Sequence, residues 1–343
     1  MKFLLHIKTG KILVCFVLVL FLTVNADAGS PHLFRIGTGG QTGVYYPIGK
    51  IIAQGITGTQ SPGPADQPGE NGVPGYIGVA QSTAGSISNV FSLDSGEIEA
   101  GLVQADVASW AYHGERMFKE KHPVRQVRAI ASLYPEKFQI VTRRDAGIKC
   151  FQDLRGKRIS IDEIGSGTLS VMRIVLQAHG MTEKDFQPIY LKPVFTSDRM
   201  KNNDLQGFVI MAGAPVKAVS QLMPVGVFLV PISQEVGNEI EKQYPYLVPG
   251  TIPADVYEDV AAVSTIEVFA LLVVNETMDD ELAYKITAAL WSKRTRDLLK
   301  KGHPQGKFIT PETALSGISI PLHPGAKRYY HQHSEKFNSL PGQ

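Results

Sequence analysis

The sequence predicts an α/β fold in two domains built on mostly parallel sheet, and three observations carry that prediction. A short β-branched strand, a loop of Gly, Ser and Thr, and an amphipathic helix recur five times along the chain. Such alternation builds parallel strands with covering helices. All five loops fall at the carboxyl ends of strands, where such sheets bind ligands. Two extended runs, "RAIASLYPEKFQIVTR" and "TIEVFALLVVN", lie far apart in sequence and read as paired crossovers between the domains. The second domain is then inserted into the first, giving 29–136 with 267–343 as one body and 137–266 as the other.

The elements follow in order. The first strand is Leu33–Ile36, and after "GTGGQTGVYYPIG" a helix carries Ile48, Ile51, Ile52 and Ile56 on one face. Gly58 to Gly75 holds five glycines and four prolines and reads as an irregular surface loop, because the unit is incomplete without the strand after it. That strand is Tyr76–Ala80, followed by "QSTAGSISNV"; the third is Gly101–Val103, leading through Gln104-Ala105-Asp106 into "VASWAYHG". The fourth, Arg158–Ile161, precedes "DEIGSGT" and a helix over Leu169–His179 with Gly180 placed just past its end. The fifth is "GFVIM", then "AGAPVKAV", where Pro215 suits a first helical turn. One long helix is expected from about Asp280 to Lys301, acidic at its start and basic at its end.

The N-terminus sets the compartment. Lys2, Lys8 and Lys11 form a basic segment, Ile12 to Val24 is apolar, and Ala26-Asp27-Ala28 is an A-x-A cleavage site before Gly29. The apolar run is too short to span a bilayer, so residues 1–28 read as a cleaved signal peptide and the mature protein as soluble and periplasmic. Cys15 leaves with the signal, and Cys150 remains as one inert thiol with no disulfide framework. Removing residues 1–28 takes three lysines and one aspartate from 34 basic and 32 acidic residues, leaving 31 of each. That balance excludes a nucleic-acid binder, which shows a basic excess or stripe.

Gly37 to Gly43 holds four glycines between a strand and a helix, an arrangement whose bare N–H groups attract anions. Nucleotide spacings fail there. A P-loop ends in Gly-Lys and Ser or Thr, whereas this loop ends Thr42-Gly43-Val44; the dinucleotide fingerprint needs glycine where Thr42 stands. The loop therefore suits a small anion or polar group.

With that loop, "QSTAGS", "QADVASWAYHG", "LYPEKFQIV", "IGSGT" and "GAPVKAV" in order behind a signal peptide, the chain closely resembles the TAXI family, the extracytoplasmic solute receptors of tripartite ATP-independent periplasmic (TRAP) transporters. The resemblance covers nearly the whole mature chain. It implies a type II periplasmic-binding-protein fold, two α/β lobes with a ligand cleft between them. It also implies organic-acid ligands, chiefly dicarboxylates such as glutamate and 2-oxoglutarate, handed to membrane permease subunits. The insert at 58–75, and Ala84 where the family more often has glycine, depart from the commonest pattern.

Candidate ligand contacts follow. Gly39, Gly40, Thr42 and Gly43 offer N–H and hydroxyl donors to a carboxylate, although glycines also serve a plain tight turn. Of Tyr45 and Tyr46, one faces the cleft and the other is core. Ser82, Thr83 and Ser86 precede or begin a helix, where capping alone accounts for one of them. Asn89 reaches the same site from the next turn or stands in solvent. Gln104, at a strand end, matches the family position. Asp106 reads as an N-cap, and an acid facing an anionic ligand would be costly, so it is left out. Ser166, Gly167 and Thr168 repeat the first loop's logic at a second helix start, so that two positive helix ends hold two carboxylates without a buried arginine. Gly213, Ala214 and Pro215 supply a third such end. Arg173 and Lys137 are the nearest cations, both weak nominees.

No G-x-S-x-G, H-E-x-x-H or S-x-x-K motif occurs in the chain. His331 and His333 read as solvated rather than as half a metal site. The expectation is a monomeric receptor with no cofactor, metal or catalytic residue. Two alternatives stay open: a sensor that docks a signalling protein, and an enzyme on the same fold, which would need a general base in the cleft.

Overall fold

The computed structural model describes residues 30–58, 69–119 and 123–337. The segment expected to be a signal peptide and most of the Gly/Pro-rich insert lie outside them. No helix among the described residues is long and apolar enough to cross a membrane.

The first half of the fold runs β1 (His32–Gly37), α1 (Tyr45–Ile56), β2 (Tyr76–Gln81), α2 (Ser86–Asp94), β3 (Ala100–Gln104) and α3 (Ala105–His113). The long β4 (Val127–Arg143) leads into β5 (Arg158–Ser160), α4 (Gly167–Ala178), β6 (Gln187–Ile189), α5 (Thr196–Lys201), β7 (Gly207–Ala212), α6 (Lys217–Ser220), β8 (Val227–Val230), α7 (Gln234–Gln243) and β9 (Val248–Ile252). The chain returns through β10 (Val263–Asn275) to α8 (Asp280–Trp291), α9 (Lys293–Gly302) and α10 (Pro324–Gln332).

Ten strands form one sheet with the path β2-β1-β3-β10-β4-β7-β5-β6, while β8 pairs with β4 and β9 with β10. β1 lies parallel between β2 and β3, and β5 lies parallel between β6 and β7. β4 and β10 run antiparallel to each other between these two parallel sets, with register shifts near Phe269 and Leu272. The two extended runs picked out from the sequence therefore pair with each other.

The hydrophobic cores divide by sheet face rather than by lobe. Phe208, Ile210, Leu272 and Val274 belong to one buried cluster, whereas Val209, Met211, Leu271 and Val273 belong to the other. The cause is the two-residue repeat of side-chain direction along a strand. α1 buries Ile48, Ile52 and Ile56 in the first cluster, as its spacing requires.

Two expected elements differ. The single helix over 280–301 is two, because Ser292 leaves the helical backbone region (ψ 152°) and its hydroxyl accepts from Thr295 N–H, capping a new start. Pro215 opens no helix: it follows a cis bond to Ala214, and α6 begins at Lys217 and spans 4 residues.

Candidate functional site

Where the two parallel sets approach each other, a cavity of about 60 Å³ is lined by the loops after β1, β2, β5 and β6, by the ends of β3 and β7, and by Glu136 of β4. Parallel strand polarity brings helix starts to the same wall. α1, α2, α3 and α4 begin at Tyr45, Ser86, Ala105 and Gly167, so the cavity faces four positive helix ends. Ser166 caps α4, its hydroxyl accepting from Leu169 N–H at 3.1 Å.

Glu136 is 1% exposed. Its carboxylate accepts from the Tyr45 hydroxyl at 2.9 Å, and Tyr45 in turn lies 3.4 Å from the Ser86 hydroxyl, which accepts from Gln104 N–H. Burial pushes Glu136 well above the usual carboxylate range; the bonds from Tyr45 and Gln104 pull it down and the nearby Asp106 pushes it further up. Asp162 follows β5 with a left-handed φ of 67° and accepts from Glu163 N–H at 2.8 Å. Burial pushes it up to about 7, against hydrogen bonds from Glu163, Thr168 and Ser166. The cation on the cavity wall, Lys192, pairs with Glu163 at 3.1 Å.

Of the residues singled out from sequence, Gly39, Gly40, Thr42, Gly43, Tyr45, Ser86, Gln104, Ser166, Gly167 and Thr168 line this cavity. Tyr46 lies on another depression beside Val194, with Lys50 over its ring at 5.9 Å. Ser82 and Thr83 lie behind the glycine loop, their hydroxyls donating to Gly39 and Thr38 carbonyls at 2.9 Å each. Asn89 is fully buried as a strut: its amide donates to the Thr38 and Leu102 carbonyls at 2.8 Å, and its oxygen accepts from Thr83. Gly213, Ala214 and Pro215 make no third helix end at the cavity; the Ala214 carbonyl accepts from Gln305 Nε2 at 2.7 Å. Thr168 is already engaged, its hydroxyl accepting from Met211 N–H at 3.2 Å. Arg173 pairs with Glu183 at 2.6 Å, and Lys137 with Glu267 across the crossovers.

A family model described as the NMT1-like family matches residues 36–333. The chain belongs to the NMT1-like family. A solved structure of a protein from Bordetella bronchiseptica RB50 shares the fold at a TM-score of 0.52 and 14% identity, covering 92% of this chain and 86% of that one. The alkanesulfonate-binding protein SsuA from Xanthomonas axonopodis pv. citri, bound to MOPS, matches at a TM-score of 0.48 and 13% identity, over 88% of this chain and 84% of its own. The two-lobed α/β fold expected from sequence is the fold of this NMT1-like protein.

Sequence reasoning passed over Glu136, Asp162 and Lys192. Glu136 was hidden inside a strand-forming run, and its one signal was a carboxylate at a position where a buried crossover should be apolar. Asp106, set aside as an N-cap, is instead the second residue of α3, where Gln104 holds the N-cap position; it is 1% exposed and makes no hydrogen bond of normal geometry. Among the described residues no group of three or more His, Cys, Asp and Glu could hold a metal.

Proposed function

We propose that this protein is a periplasmic solute-binding receptor that captures a small organic acid, a dicarboxylate or a glutamate-like compound, by closing two lobes upon it. It then delivers the ligand to the permease of a TRAP transporter. One observation carries this reading: a small cavity of mixed polar and apolar lining lies between loops of both parallel sets and faces four helix N-termini. Helix ends supply anion-binding N–H groups without a net charge that would have to be stripped of water.

We place the moving bodies at 29–136 with 267–343 and at 137–266, because both strand crossings fall at the paired residues Lys137 and Glu267. The exported form begins at Gly29 and acts as a monomer. The TRAP permease as partner rests on the resemblance of the opening loop and the motifs behind it, and an importer driven by ATP is the competing partner. Catalysis has little support: no His, Cys or Arg lines the cavity.

The test is calorimetric titration of purified protein with dicarboxylates and amino acids, beside a thermal-shift screen, since a ligand of the folded form must raise stability. Micromolar binding of an organic acid supports the receptor; tight binding of a neutral sugar alone overturns the organic-acid class. Uptake by cells carrying receptor and permease separates the partners, because collapse of the ion gradient stops a TRAP system and ATP depletion stops the other.

A further inference from the structure

The charges around the cavity are unbalanced. Lys192 is spent on Glu163 at 3.1 Å, which leaves Glu136 and Asp162 facing the interior with no other positive side chain on the lining. Asp162 is satisfied by donors of its own loop. Glu136 has the Tyr45 hydroxyl and the Gln104 amide. The nearby Asp106 carboxyl pushes Glu136 further up.

Unpartnered polar atoms, one of them an acceptor alone, add to this. Gln104 Oε1 and Thr42 Oγ1 line the cavity, belong to residues 3% and 7% exposed, and have no hydrogen-bond partner. A buried polar atom without a partner is costly, so native structures leave few of them unless a ligand or water completes the set. The Gln104 oxygen can only accept. A carboxylate there would set acceptor against acceptor and charge against Glu136. An ammonium group brings three N–H donors and the missing positive charge.

Resting on the receptor function above, we propose that the ligand is a small zwitterion, a carboxylic acid carrying a protonated amine. Its ammonium meets Glu136, Gln104 Oε1 and Thr42 Oγ1, and its carboxylate faces the helix starts. A cavity of about 60 Å³ holds on the order of four waters, which favours compact amino acids over long dicarboxylates.

Matched pairs that differ only in the amine test this: alanine against pyruvate and glutamate against 2-oxoglutarate, by calorimetry on the mature protein. The amino member should bind at least about tenfold more tightly, the scale of one charged hydrogen bond. Glu136→Gln should erase most of that preference while sparing the oxo acid. Should that variant fail to fold, the wild type still decides, because an ammonium that restores the Glu136 charge expels a proton, visible as heat that varies with buffer ionisation. Equal or tighter binding of the oxo acids, or proton uptake on binding, overturns the zwitterion and leaves the receptor standing. No binding by any member up to about 10 mM, weaker than any useful capture, overturns the receptor itself.

Discussion

An ideal Cβ on Gly167 would lie 2.1 Å from Gln104 Oε1 and 2.6 Å from its Cδ. Gln104 ends β3 and Gly167 starts α4, so this contact joins the two parallel sets directly over the cavity. Gly167→Ala adds the methyl that the space cannot take, forcing the Gln104 amide off Glu136. Ligand affinity should fall by about 1–3 kcal/mol, as for other overpacked sites, with little change in unliganded unfolding, because alanine favours the helix. In a Gln104→Ala background the same change should cost almost nothing. Additive losses across that double-mutant cycle would show that the two residues are apart when ligand is bound.

Thr168 illustrates how a sound local reading meets a tertiary fact. Its hydroxyl was expected to wait for ligand across the cleft, yet it accepts from Met211 N–H and donates to Asp162. Thr168→Val leaves a buried strand N–H without a partner, so unfolding of the free protein should lose about 1–3 kcal/mol. A change confined to ligand dissociation, with urea unfolding unmoved, would return the hydroxyl to the ligand.

Local pattern made the architecture legible, since the isoleucine spacing of α1 and the β-branched crossovers each encode one periodicity. Loops at strand ends were equally legible, and they supply most of the cavity wall. What escaped depended on long-range partners. Asn89 looks like a helix-surface residue until Thr38 and Leu102, distant in sequence, present their carbonyls to it. Glu136 looks like a strand residue until Tyr45 and Asp106 surround it. Ser292 splits a helix that its neighbours' propensity would carry through, because its hydroxyl outcompetes the continuing turn.

Gln305 ties the C-terminal region to the proposed insert. It is buried, donates to the Ala214 carbonyl at 2.7 Å, and fills the space beside Gly213. If 137–266 swings as a body, this bond exists only when the lobes are shut. Gln305→Ala should remove about 1 kcal/mol from the closed form, a shift of about fivefold toward open. Scattering should show a larger free protein and stopped flow a faster ligand release. Unchanged values for both would place Ala214 and Gln305 in one rigid body.

Asp106 gives the fold a pH dependence that can be isolated. Burial pushes its carboxyl up to about 7, opposed by first-turn N–H groups and by Arg116. An acid with a raised pKa holds more protons folded than unfolded, so its contribution is full below about pH 4 and is lost as pH rises through about 7. Asp162 and Glu136 add slopes of the same sign, whereas His179, His303 and His323, lowered by burial, oppose them as they lose their protons. The wild-type curve is therefore a sum, and the comparison that matters is with Asp106→Asn. Asparagine keeps the shape of the neutral acid and cannot ionise, so the variant should match the wild type near pH 4.5. It should become the more stable of the two as pH rises to 7, by up to about 1.4 kcal/mol for each unit crossed. Urea unfolding at those two pH values checks it. A constant gap would mean that Asp106 titrates as an ordinary hydrated carboxylate, already charged well below pH 7, and would remove its burial as a source of the pH dependence.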